Sequence, residues 1–73
     1  MIEVRFFATL REGRGKEVKI SPENIRIAGD VLRLLHIDQT EVAILLINGF
    51  HSRAEDPVRD GDLISLFPPV GGG

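Results

Sequence analysis

Two adjacent prolines near the end of the sequence constrain the fold more than any other feature. Pro68 and Pro69 lack backbone N–H donors and favour the extended polyproline conformation, so they cannot continue a β-sheet ladder. The residues just before them, 63–67, have the short apolar pattern of a strand. The sequence therefore predicts a last strand that ends near Phe67, followed by a stiff arm that stands off the domain.

Three glycines follow this arm. Gly71, Gly72 and Gly73 have no Cβ, so a chain end made of them passes through a narrow channel in another protein without steric hindrance. We therefore expect one domain over residues 1–70 and a flexible glycine tail over residues 71–73 that is presented to a partner. A glycine tail considered alone is more often an ordinary frayed end, and the rest of the sequence has to decide between these interpretations.

Length and composition indicate one small domain without thiol chemistry. The 73 residues contain no cysteine, which excludes disulfides, thiolate metal sites and sulfur held on a side chain. The start has no continuous apolar segment of the kind that signal peptides carry, and the longest apolar run covers only residues 42–47. We therefore expect a soluble, cytoplasmic protein with no membrane partner.

The charge balance narrows the choice of partners. A net charge of −2 argues against nucleic acid, whose binding depends on many basic side chains. Residues 1–33 carry seven basic and five acidic side chains, whereas residues 34–73 carry two basic and six acidic ones. Because the half that carries the tail is acidic, the sequence predicts a partner with a basic docking surface.

The first half of the chain predicts a hairpin and one helix. Residues 2–6 and 17–20 both alternate apolar and polar side chains around a glycine-containing turn, with Ile2, Val4 and Phe6 facing inward. Residues 28–36 have apolar side chains at helical spacing, and Asp30 complements the dipole of the first turn. The residue at the N-cap position, Ile27, is a poor capping residue, so the start of this helix is not fixed by sequence.

The second half predicts three strands. The apolar run over residues 42–47 reads as a strand buried on both faces, and the Asn48-Gly49 pair favours a tight turn into a brief strand over residues 50–53. A turn over residues 59–62 precedes the last strand, residues 63–67. The predicted order is β-β-α-β-β-β, in which a single helix has to cover one face of a mixed sheet.

The polar residues form no catalytic or metal-binding pattern. His36 and His51 have no second histidine at zinc-ligand spacing, the three serines have no neighbouring base, and the carboxylates define no acid–base pair. The glycines of residues 13–15 lack the remaining residues of a phosphate loop. We therefore expect no catalytic residue, no metal site and no bound cofactor.

Several segments together resemble the ubiquitin-like sulfur-carrier proteins. They are the β-β-α-β-β-β order, the Asn48-Gly49 turn, the turn over residues 58–62 and the ending Phe-Pro-Pro-Val-Gly-Gly-Gly. This ending, together with Phe6-Phe7-Ala8, resembles the small subunit of molybdopterin synthase in particular. The short stretch over residues 37–41 is closer to the carriers that serve thiazole synthesis. The resemblance implies an α+β protein of the β-grasp (ubiquitin-like) fold, with a mixed sheet of four to five strands and one main helix.

The resemblance also implies a function for the tail. In this family an adenylating enzyme related to the ubiquitin-activating enzymes uses ATP to convert the terminal carboxylate into an acyl adenylate, and sulfur delivery then gives a thiocarboxylate. Gly73 is the implied modified residue, and Gly71 and Gly72 are the part of the tail that enters the partner's channel. The sulfur would serve molybdopterin synthesis through a synthase large subunit, and the carrier itself would not be an enzyme.

Strand parity predicts where such partners bind. If Ile64 and Leu66 face the helix, then Leu63 and Phe67 face outward, and the same alternation on the first strand places Phe7 outward. These three apolar side chains would form a docking patch beside the root of the arm, where Pro69 and Val70 extend the contact; alternatively, one or more of them fold under a loop.

Three other functions stay open at this stage. Within the family, the chain could carry sulfur for thiazole synthesis. Outside it, the chain could be a ubiquitin-like modifier joined through Gly73 to lysines of other proteins, since both functions begin with adenylation. It could also be a purely structural β-grasp module with an idle tail.

Overall fold

A computed structural model describes residues 1–69. Its strands and helix follow the predicted order: β1 (Ile2–Phe6), β2 (Glu17–Ile20), α1 (Ala28–Leu34), β3 (Ile44–Ile47), β4 (Phe50–His51) and β5 (Leu63–Phe67). Two short 3₁₀ turns, Ala8–Arg11 and Gln39–Glu41, complete the secondary structure. The last strand ends at Phe67, as the two prolines predict. Val70 and the predicted tail over residues 71–73 lie outside the described residues.

The strands form one mixed sheet in the order β2-β1-β5-β3-β4. The central pair, β1 and β5, is parallel, with Glu3 opposite Leu63 and Phe6 opposite Leu66, whereas the other three pairs are antiparallel. The Asn48-Gly49 turn between β3 and β4 has positive φ at both residues, 52° and 86°, as a type I′ hairpin turn requires. The first and last strands therefore lie side by side in the middle of the sheet.

The core lies between α1 and one face of the sheet. The inward residues of β1 and β5 are almost completely buried, which confirms the predicted parity of both strands: Ile2, Val4, Phe6, Ile64 and Leu66. From the helix side, Ala28, Val31 and Leu32 complete the same cluster. The opposite face of the sheet has no helix on it in the described part of the chain, and we call it the open face.

Asp30 fixes the start of α1 in place of a capping residue. Its carboxylate accepts hydrogen bonds from the backbone N–H groups of Arg26 (2.9 Å) and Ile27 (3.1 Å). These two hydrogen bonds lower the pKa of Asp30. Ile27 is a poor capping residue, so the start of the helix is fixed instead by the side chain of Asp30, one turn later. The helix is shorter than predicted and ends at Leu34, because the chain turns at His36, where φ is 58°.

The prediction that residues 42–47 form a strand buried on both faces is wrong. In β3, Leu45 and Ile47 face the core, but Ile44 is 40% exposed and Leu46 is half-buried on the open face. A continuous apolar run contains no alternation that would reveal its outer face. The single helix covers only one side of the sheet, so alternate residues of this run lie on the other side.

Candidate interaction surface at the end of β5

The open face carries a cluster of apolar side chains where β5 ends. The Phe7 N–H donates to the Leu66 carbonyl (3.1 Å), which extends the β1–β5 ladder and places Phe7 beside Phe67. Their rings stack with centroids 4.3 Å apart and planes 8° from parallel. On the other side of Phe67 lies Ile44, its partner in β3, followed by Leu46. We call Phe7, Ile44, Leu46 and Phe67 the apolar patch.

The sequence predicted only part of this patch. Phe7 and Phe67 are half-buried on the open face and in contact, as parity suggested. Leu63 is also half-buried on that face, but it lies opposite Glu3 at the other end of β5. It comes four positions before Phe67 along the strand, a distance of about 13 Å. The structure therefore brings Phe7 and Phe67 together and leaves Leu63 apart.

Ile44 and Leu46 were missed because the strand that carries them was read as buried on both faces. A signal for them was present in the sequence. With one helix for the whole sheet, every second residue of an apolar strand has to lie on the uncovered face. The alternative, that one or more of Phe7, Leu63 and Phe67 fold under a loop, concerned side chains that the structure shows half-buried on the open face.

Arg11 borders the apolar patch. It closes the 3₁₀ turn Ala8–Arg11, which the buried Leu10 anchors to the core. The Arg11 Nε donates to the Phe6 carbonyl (2.9 Å), and the guanidinium carbon lies 5.5 Å from the centroid of the Phe7 ring. Because Phe67 covers one face of that ring, the guanidinium lies over the other. Arg11, Phe7 and Phe67 thus form one row across the end of the sheet.

The arm leaves the sheet beside a groove of about 410 Å³. Pro68, which is half-buried, and Pro69, which is exposed, form one wall of this groove. Arg14 also lines the groove; it donates to the Leu10 carbonyl (3.2 Å) and approaches the Glu41 carboxylate at 3.9 Å. The root of the arm is therefore flanked by side chains of both charges.

Two acidic residues of the half that carries the tail lie far from the root of the arm, and the prediction of a partner with a basic docking surface stays a prediction. Asp60 and Asp62 precede β5, so they lie at the opposite end of the strand from the arm. Both have structural partners. Asp60 pairs with the N-terminal amine, and Asp62 accepts from the Asn48 side-chain amide (2.9 Å) and the Arg59 N–H (2.8 Å), which lower its pKa. The charged residues that line the groove beside Pro68 and Pro69 are Glu12, Arg14 and Glu41, which come from both halves of the chain.

Residues 1–69 contain neither a metal-binding cluster nor a membrane-spanning helix. No three histidine, aspartate or glutamate side chains of this part lie close enough together to hold a metal ion. No helix of the same residues has the length and apolarity needed to cross a membrane. The apolar patch and its border are therefore the feature on which a functional argument can be built.

Comparisons with known proteins agree with this fold. The model of the ThiS family matches residues 4–73. The chain is 36% identical to small archaeal modifier protein 3 of Haloferax volcanii, covering 99% of this chain and 98% of the relative.

Two solved structures are informative. SAMP1 from Haloferax volcanii superposes with a TM-score of 0.76 at 25% identity, over 99% of this chain and 98% of that one. The complex of subunits 1 and 2 of molybdopterin-converting factor from Helicobacter pylori contains a chain with a TM-score of 0.67 at 27% identity, over 99% of this chain and 97% of that one. These likenesses confirm the predicted β-grasp fold.

Proposed function

Because the chain belongs to the ThiS family, within the ubiquitin-like sulfur carriers and modifiers, we propose that it is a sulfur carrier activated at Gly73. The Gly73 carboxylate attacks the α-phosphate of ATP on an adenylating enzyme, which forms an acyl adenylate and releases pyrophosphate. A sulfur nucleophile then attacks the carbonyl carbon, a C–S bond forms, and AMP leaves. The product is a thiocarboxylate, and this chain supplies the tail and the recognition surface rather than a catalytic side chain.

The observation that carries the proposal is the position of the stacked Phe7–Phe67 pair. Phe67 is the last residue of β5, so the apolar patch and the root of the arm are adjacent in space. Pro68 and Pro69 continue from it in a conformation with little freedom. When a partner covers the patch, its own channel is therefore close to the root of the arm, from which the tail, with Gly71 and Gly72, has to enter it.

We propose a synthase large subunit as the second partner. Support comes from the Helicobacter pylori relative, which is a complex of the two subunits of molybdopterin-converting factor. The sulfur would then be consumed in molybdopterin synthesis. The short stretch over residues 37–41 favours thiazole synthesis as the alternative destination within the family.

A second candidate function is protein modification. The relative with 36% identity is named a modifier protein. In this case the acyl adenylate at Gly73 is attacked by a lysine amine of another protein, an amide bond forms and AMP leaves. Both functions share the activation step and differ only in the nucleophile that follows it.

The test is to incubate the purified chain with ATP, sulfide and the adenylating enzyme of the same organism. Intact-mass analysis should show a gain equal to the difference between a sulfur and an oxygen atom, located at Gly73. A chain without Gly73 should stay unmodified. Conjugates to lysines that require Gly73, without any thiocarboxylate, would favour the modifier. An unchanged mass with an enzyme that activates related carriers would contradict both functions.

A further inference from the structure

We infer that Arg11 recognises a carboxylate on the protein that covers the apolar patch. The inference rests on the proposed function, since it concerns the partner that receives the tail. It specifies the chemistry of that partner's surface: an apolar socket for Phe7 and Phe67, bordered by an aspartate or glutamate that faces Arg11.

Two contacts hold the Arg11 side chain in one orientation. Its Nε donates to the Phe6 carbonyl at 2.9 Å, and its guanidinium lies over the Phe7 ring. A guanidinium has five N–H donors in a rigid plane, and only the Nε donor is used here. The Nη donors remain on the outer edge, in the paired geometry that matches the two oxygens of a carboxylate.

Within residues 1–69, Arg11 is paired with no carboxylate. Among the described residues, Arg5, Arg14 and Arg33 each approach an acidic side chain, whereas Arg11 forms no ion pair with any carboxylate of that part of the chain. The backbone carbonyl and the aromatic ring that hold Arg11 carry no full negative charge. Its positive charge is therefore available to a partner.

Binding of a partner to the apolar patch would also desolvate the charge of Arg11. Arg11 is exposed, but it packs on the ring that forms the edge of the apolar patch. A protein that covers Phe7 and Phe67 would remove water from the guanidinium as well. Desolvating a cation without an anionic partner is costly, so a complementary surface has to place a carboxylate there.

The apolar character of the patch decides which class of partner fits. Four apolar side chains bordered by Arg11 match a protein surface with an apolar centre and a charged rim. Nucleic acid would need several cations for its phosphates, and the net charge of this chain is −2. The geometry thus points to an acidic residue of a protein.

The experiment measures the Kd of the purified adenylating enzyme of the same organism for the wild-type chain and for three variants. Arg11→Gln should weaken binding tenfold or more, Arg11→Glu should weaken it further, and Arg11→Lys should retain part of the affinity. The wild-type affinity should fall more steeply with added salt than that of Arg11→Gln. Thermal unfolding of each variant, without the enzyme, shows whether the domain is intact.

Arg33→Glu is the matched control. Arg33 is 75% exposed and belongs to α1, on the side of the sheet opposite the apolar patch. Reversing its charge changes the net charge as Arg11→Glu does, so its Kd should stay within about twofold of the wild-type value, as expected for a charge outside the contact. A Kd that changes as much as that of Arg11→Glu would show a general charge effect and contradict a specific contact.

Further results would separate this inference from the proposed function. If Arg11→Glu binds like the wild type and is still activated at Gly73, the inference is overturned while the function stands. If the wild-type chain neither binds the enzyme nor gains sulfur, both fall. Restored binding of Arg11→Glu to an enzyme variant with one rim carboxylate changed to arginine would identify the partner residue directly.

Discussion

Phe7 and Phe67 stack face to face, 4.3 Å between ring centroids, although one follows the first strand and the other ends the last. The contact exists because β1 and β5 run parallel in the centre of the sheet, in a register that places Phe6 opposite Leu66. It joins the surface that a partner would bind to the point where the tail begins. The predictions below test this surface and the fold that supports it.

Phe67→Asp should weaken partner binding while the domain stays folded. The variant loses the stacking contact with Phe7, a loss of about 0.5–1.5 kcal/mol in stability, but it buries no charge because Phe67 lies on the open face. Binding of the adenylating enzyme should weaken by about 2 kcal/mol or more, as for a hot-spot residue. Titration calorimetry and chemical denaturation measure the two effects separately.

Ile64→Asp is the control for that variant. Ile64 is three residues earlier on the same strand, faces α1 and is completely buried. A carboxylate forced into so small a core without a partner should unfold the domain, which circular dichroism would detect. If the two aspartate variants unfold equally readily, a charge on the open face at Phe67 destabilises the domain as much as a charge in the core at Ile64.

Deleting Gly72 and Gly73 should abolish activation and leave the fold intact. Among the described residues every buried side chain lies between Ile2 and Leu66, and Pro69 is already exposed. We therefore expect the free energy of unfolding to change by less than about 0.5 kcal/mol. A large fall in melting temperature would mean that the tail packs on its own domain, and the idle-module alternative would gain support.

The hydrogen bonds of Asp62 predict a stability that falls in acid. Its pKa is lowered by the Asn48 amide and the Arg59 N–H, so the folded state favours the carboxylate. This contribution is complete above the unfolded pKa, about 3.9, and is lost as pH falls through the lower folded value. Asp62→Asn should cost about 1 kcal/mol at pH 7, and its difference from the wild type should shrink below pH 4. A difference independent of pH would exclude a role for the charge.

Gly29 should tolerate alanine but not valine. It is buried in the first turn of α1, and its N–H donates to the Ala54 carbonyl at 2.8 Å. A Cβ here would lie 3.3 Å from that carbonyl oxygen and 3.6 Å from the Ala54 Cβ. In Gly29→Ala the gain in helix propensity, up to about 1 kcal/mol, offsets the tight contact.

Gly29→Val adds two methyl groups at the same place and should cost about 1–3 kcal/mol. Urea denaturation of both variants measures the difference between them. Equal stability of the valine and alanine variants would show that the segment between β4 and β5, which contains Ala54, moves away at little cost.

The sequence allowed most of the fold to be predicted because several signals agreed. Alternation fixed which side of β1 and β5 faces the core, and Pro68 with Pro69 fixed where β5 ends. The apolar run of β3 has no alternation, so its outer residues Ile44 and Leu46 were not found. Their exposure is a consequence of tertiary structure, namely that only one helix is available to cover the sheet.

The candidate site was harder to predict than the fold. Parity showed that Phe7 and Phe67 face outward, but their stacking depends on the parallel register of two strands that are distant in sequence. Charge counts along the chain did not show where the acidic residues of the second half lie, because β5 carries the chain away from Asp60 and Asp62. Arg11 was not among the predicted site residues, and only its contact with the Phe7 ring shows that it borders the patch.

The central position of β5 has a consequence for how the protein is made. In the sheet, β5 lies between β1 and β3, which do not pair with each other. Until Phe67 has been synthesised and has left the ribosome, these two strands therefore have no strand between them. Contacts between the two ends of a chain form late and slowly. A polypeptide that ends before β5 therefore has neither a completed sheet nor the Phe7–Phe67 stack, and a partner that binds this stack would not recognise it.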